Sequence, residues 1–205
     1  MLTDQTISDF LRQTASGTPV PGGGSVSALS AALGAGLTEM VANLTVGKKN
    51  YEAVESEMKE ISATAANLRK KLTAEVDNDA NAYQGVLAAF KLPQTTEAEK
   101  EQRTRAIQEA MKNAARVPLG VAYDALQVMD LAERVIRSGN RNAVSDGAVG
   151  AMMGRTAVRG ALFNVKINLA SVKDKAFVEE MIREANKLEQ RVQAREKEIL
   201  SYVSI

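Results

Sequence analysis

From Val54 to Phe90 the apolar residues return at steps of four and three: Val54, Met58, Ile61, Ala65, Leu68, Leu72, then Val86 and Phe90. That period places them on one stripe of a long helix, and a stripe this long must be buried against other helices. Val178, Met181, Ala185, Leu188, Val192 and Ile199 repeat the pattern near the end of the chain. No stretch alternates apolar and polar residues long enough to make a strand, and aromatics are only 4%. The expected fold is therefore all-α, an antiparallel multi-helix bundle. Helices are expected at about 4–15, 25–46, 50–91, 96–116, 118–138, 142–171 and 174–203, with Pro93 and Pro118 read as boundaries. A single domain over residues 1–205 is expected. The segment Val26–Val46 is rich in Ala and Gly but interrupted by Ser30, Thr38, Glu39 and Asn43, so it reads as a central core helix and not as a membrane span. Its small residues let another backbone come close, and a homodimer is expected.

The chain has no His and no Cys. Ser-His triads, Cys nucleophiles, zinc sites of the ordinary type and disulfides are thereby excluded, and proton transfer falls to Asp, Glu, Lys or Tyr. With 26 Lys and Arg against 25 Asp and Glu, the net charge of +1 gives no general attraction to nucleic acid or to an anionic membrane. The opening Met1–Gln5 lacks the basic-then-apolar order of a signal peptide, which predicts a cytoplasmic protein.

Polar residues that interrupt apolar faces are the candidates for chemistry. Glu75 can move to the flank of the long helix, because Val76 can take its place, but Asp79 falls between Leu72 and Tyr83 on the seam and should point inward. A buried carboxylate needs a partner, a ligand or a raised pKa. It is either a structural acid that pairs with an Arg or caps a neighbouring helix, or a functional one. Asp77 lies on roughly the opposite face, where periodicity alone predicts a solvated surface acid. The loop Pro21-Gly22-Gly23-Gly24-Ser25 precedes the apolar second helix and leaves backbone N–H groups free at its positive end. It lacks the Gly-Lys-Ser/Thr of a Walker A loop, so an ordinary turn competes with an anion seat. Lys48 and Lys49 close the same helix. Further on, Asp146, Gly150, Met153, Ala157, Gly160, Asn164 and Asn168 recur at helical spacing and predict a small, polar groove, the alternative being a close helix crossing over Gly150 and Gly160.

Pro21-Gly22-Gly23-Gly24-Ser25, Gly47-Lys48-Lys49-Asn50-Tyr51, Asp77-Asn78-Asp79-Ala80-Asn81-Ala82-Tyr83, Leu92-Pro93, Ser145-Asp146 and Asn164-Val165-Lys166-Ile167-Asn168 occur in one order along nearly the whole chain. Together they resemble the formiminotransferase-cyclodeaminase family, in particular its cyclodeaminase domain and the stand-alone methenyltetrahydrofolate cyclohydrolases. Val20 departs from the threonine more usual in that loop. The resemblance implies an all-helical homodimer with a folate pocket near the subunit interface, no metal and no cofactor beyond the tetrahydrofolate substrate itself.

Two reactions are implied. One is cyclodeamination of 5-formiminotetrahydrofolate to the 5,10-methenyl compound and ammonia; the other is hydrolysis of that methenyl compound to 10-formyltetrahydrofolate. A non-catalytic folate-binding or purely structural helical dimer is the alternative from another class. On the catalytic reading Asp79 transfers the proton, oriented by Tyr83, with Asp77 as its rival. Asp146, in a first turn that favours the charged form of a carboxylate, holds a cation together with Asn164 and Asn168. Pro21, the Gly22–Ser25 loop and Lys48 hold anionic parts of the folate, the glutamate tail falling to Lys48. The two ends of the second helix lie too far apart to share one ligand group within a subunit.

Overall fold

The computed structural model describes residues 1–204. Six α-helices follow in order: α1 (Ile7–Thr14), α2 (Gly23–Asn43), α3 (Glu55–Phe90), α4 (Glu97–Ser138), α5 (Val144–Leu169) and α6 (Lys175–Ser201). Three short 3-10 turns precede α1, α3 and α5, and the described residues contain no strand. The starts of α1, α4 and α6 are fixed locally. Thr6 accepts from the Asp9 N–H, Asp174 accepts from the Phe177 N–H, and Thr96 with Glu99 forms a reciprocal capping box.

Helix α2 is the centre of the bundle, packed against α3, α4 and α5. Its Ala28, Ala31, Ala35, Val41 and Ala42 are fully buried. By length and composition α2 could cross a membrane, but 61% of its apolar window lies inside the fold, as suits a core helix. Helix α5 runs antiparallel to it: Ser30 meets Met153, and Gly34 meets Gly150. A Cβ on Gly34 would come within 2.8 Å of the Gly150 carbonyl oxygen, so the two backbones touch. The seam of α3 is buried as its period predicts, with Met58, Ile61, Ala65 and Leu72 fully enclosed.

Residues 96–116 and 118–138 do not form two helices. They are one, α4, with Pro118 in its interior. Proline has no N–H to give the Ala114 carbonyl four residues back, a defect that ordinarily breaks a helix. Here Asn168 of α5 donates its side-chain amide to that carbonyl at 2.6 Å, and the helix continues.

The expected polar groove along α5 is also corrected. Gly150 and Ala157 are buried, Gly150 in the crossing with α2, and a Cβ on Gly160 would collide with the Ser27 hydroxyl. The small residues serve close packing, and of the expected polar residues only Asn164 and Asn168, in the last turns of α5, line a cavity.

Candidate functional site

A cavity of about 340 Å³ opens where the start of α2 meets the last third of α3, the first half of α4 and the end of α5. Its wall includes Gly22, Gly23 and Gly24 from the loop, Asp79 and Tyr83 from α3, Met111 and Ala114 from α4, and Asn164, Ile167 and Asn168 from α5. The size suits a small organic molecule.

Asp79 organises this space. It is half-buried, and its Oδ2 accepts from the Ser25 hydroxyl at 3.0 Å while the Ser25 backbone N–H also bonds the carboxylate. Gly22, the N-cap of helix α2, offers no side chain to cap it, so the carboxylate from α3 caps it across 54 residues. Burial pushes the Asp79 pKa up, and the two Ser25 bonds only partly oppose that rise. The acid is therefore both a helix cap and a group brought toward neutral pH. Gly24 makes this contact available, since a Cβ there would occupy the place of the Asp79 carboxylate. Glycine stands at this position for close approach and not for backbone conformation.

The two amides on the opposite wall are already anchored. Asn164 donates to the Gly160 carbonyl at 2.9 Å and Asn168 to that of Ala114 at 2.6 Å. A carbonyl can only accept, so each side chain spends an NH2 hydrogen on the backbone and keeps its oxygen as an acceptor. The start of α2 supplies the complementary donors, because the first N–H groups of a helix have no partner within it.

Other expected residues lie elsewhere. Pro21 and Ser25 are buried behind the loop, Ser25 reaching the site through Asp79. Asp77 is not a solvated acid: it is 8% exposed, accepting from the Leu2 N–H and the Thr3 hydroxyl, each at 2.6 Å. Burial raises its pKa, but those bonds and the N-terminal ammonium outweigh burial and hold it below the usual aspartate range. It ties the N-terminal turn to α3 and does not face the cavity. Lys48 and Asp146 sit at the other end of the α2–α5 pair. There Asn140 donates to the Leu44 carbonyl at 3.1 Å and the Arg141 N–H to the Tyr51 hydroxyl at 3.1 Å. Asp146 precedes Asn164 by 18 residues on α5, about 27 Å along the axis, so the two do not share a ligand group in one subunit. Tyr83 lines the cavity but, among the described residues, Ser25 and not Tyr83 is the hydrogen-bond partner of Asp79. Sequence reasoning missed the α4 wall, Met111 and Ala114; a proline inside a helical pattern was the available signal.

This arrangement defines a class, an all-helical bundle in which a half-buried carboxylate caps the start of the central helix on the wall of a cavity. The model of the formiminotransferase-cyclodeaminase family matches residues 6–187, and the chain belongs to that family. It is 41% identical to the methenyltetrahydrofolate cyclohydrolase of Methylorubrum extorquens, over 90% of this chain and 88% of that one. It is 38% identical to the formimidoyltransferase-cyclodeaminase of Rattus norvegicus, over 87% of this chain and 33% of that longer protein. The crystal structure of formiminotetrahydrofolate cyclodeaminase from Thermotoga maritima superposes with a TM-score of 0.88 at 29% identity, covering 99% of this chain and 98% of that one.

Proposed function

We propose that this chain is a folate one-carbon enzyme that hydrolyses 5,10-methenyltetrahydrofolate to 10-formyltetrahydrofolate, with Asp79 moving the proton. The observation that carries this reading is Asp79 itself, an acid raised by burial on the wall of a cavity beside free helix N–H groups. The similarity to the Methylorubrum extorquens cyclohydrolase along most of both chains supports the choice of reaction.

The methenyl bridge is a cationic carbon between two nitrogens. Ionised Asp79 favours that cation and accepts a proton from the water that attacks it. A neutral tetrahedral carbon with a new hydroxyl results. Asp79 then returns its proton to N5 as the C–N5 bond breaks; the hydroxyl loses its own proton to solvent and becomes the formyl oxygen. One proton is released in total, and the acid ends ionised, ready for the next cycle. A pKa drawn toward neutral lets one carboxyl serve in both directions.

A second reading is cyclodeamination, favoured by the match to the Thermotoga maritima cyclodeaminase along nearly the whole chain. There N10 attacks the formimino carbon and Asp79 protonates the departing ammonia.

The functional unit in this proposal is a homodimer. Val26, Leu33 and Met40 of α2, Leu44 just beyond its end, and Val149, Met152, Phe163 and Ile167 of α5 are exposed and together form an apolar face. A second copy turned end for end on this face brings Lys48 and Asp146 toward the partner's cavity, where Lys48 meets the glutamate tail.

Absorbance of the purified protein with each substrate tests the reading. Loss of the methenyl chromophore without ammonia release is expected. Ammonia release from the formimino compound selects the second reading, and tight folate binding with neither reaction leaves a binding module.

A further inference from the structure

Pro118 stands in the middle of a 42-residue helix, where a proline removes a helical hydrogen bond and ordinarily destabilises the helix. It does not touch the cavity. Its effect reaches the cavity through Ala114, whose carbonyl loses its usual donor and takes the Asn168 amide instead. Both Ala114 and Asn168 line the wall. Had residue 118 carried an N–H, that carbonyl would be satisfied within α4, and Asn168 would be free to rotate about its side-chain torsions or to present its NH2 to the ligand.

We propose that Pro118 is a positioning residue for substrate: by freeing the Ala114 carbonyl it fixes the Asn168 amide in one orientation, with the Asn168 oxygen presented as an acceptor to an N–H of the bound pterin. Pterin rings carry amino and ring N–H donors, and a fixed acceptor loses no side-chain entropy when it binds them. This rests on the folate reading above, and it assigns Pro118 to ground-state binding and not to the chemical step.

The test has a structural and a kinetic arm. In the wild type the Asn168 side-chain amide protons, observed by 15N NMR, are expected to exchange slowly with solvent; in Pro118→Ala that protection is lost. With the methenyl substrate, Pro118→Ala is expected to raise KM about two- to tenfold, the worth of one hydrogen bond, with a smaller change in kcat. In an Asn168→Ala background the same Pro118→Ala change is expected to add nothing to KM. An unchanged KM, or an increase that persists in the Asn168→Ala background, overturns the proposal. If Pro118→Ala does not fold, Asn168→Asp decides, since it keeps the oxygen and the volume but loses the anchoring NH2. A raised KM supports the proposal, and a normal KM with a lowered Tm overturns it. If the wild type has no folate activity, the functional reading has failed, and the NMR arm still reports whether Pro118 holds the amide.

Discussion

At the scale of single residues, Asp79 has two tasks that pull in opposite directions. Capping α2 favours its ionised form, while burial favours its neutral form and prevails. Asp79→Asn keeps an oxygen for both Ser25 donors, so the fold and folate affinity should survive while turnover falls about 10²-fold or more. The rate of the wild type should rise with pH as Asp79 ionises, and the variant should lack that limb. Stability has the opposite sign. The unfolded chain ionises first, so the contribution of Asp79 to folding falls as pH climbs from the unfolded pKa through the raised folded one. Urea titrations across pH should show this slope in the wild type and not in Asp79→Asn. Gly24→Ala tests the same contact from the other side. The new methyl displaces the carboxylate, a mobile end of a short side chain, so activity should drop nearly as far as in Asp79→Asn with a modest change in Tm. The seam of α3 made the inward position of Asp79 legible in the sequence, because of the two acids that broke the apolar stripe only Glu75 had a Val beside it to take its place. Asp77 was not legible, since its partners Leu2 and Thr3 lie 75 and 74 residues away and no helical period records them.

Among elements, the crossing of α2 and α5 sets the separation of the cavity walls. The Gly34 position faces backbone, the Gly150 carbonyl at 2.8 Å, which cannot rotate aside as a side chain does. Gly34→Ala should therefore force the helices apart and cost about 1–3 kcal/mol in chemical denaturation. Gly85, on α3, meets nothing within 4 Å, and Gly85→Ala should stabilise the protein by roughly 0.5–1 kcal/mol through helix propensity alone. Element type was readable throughout, because long helices repeat their pattern many times. The division of α4 was misread for a definite reason. Proline is a local signal to stop, and the amide that overrides it is 50 residues further along the chain, on another helix. For the same reason α5 looked like a polar groove, although its glycines serve a neighbour that its own pattern does not name.

For the whole molecule, the proposed dimer makes the apolar face of α2 and α5 the decisive surface. Leu33 is 52% exposed on that face and does not line the cavity, so Leu33→Glu should leave the subunit folded and yield monomers in sedimentation, where the wild type is expected to sediment as a dimer. A monomeric wild type would remove the dimer from the functional reading without touching Asp79. Ile167 belongs to both surfaces: it is 70% exposed on the apolar face and lines the cavity. In the proposed dimer, association and catalysis share a border, and the second chain would complete the wall of the first at Ile167. The rate per chain then depends on how much protein there is. Diluted below the dissociation constant of the dimer, the protein should lose specific activity in step with the fraction still paired. In a cell, output would climb more steeply than abundance while the protein is scarce, and in direct proportion once most chains have found a partner.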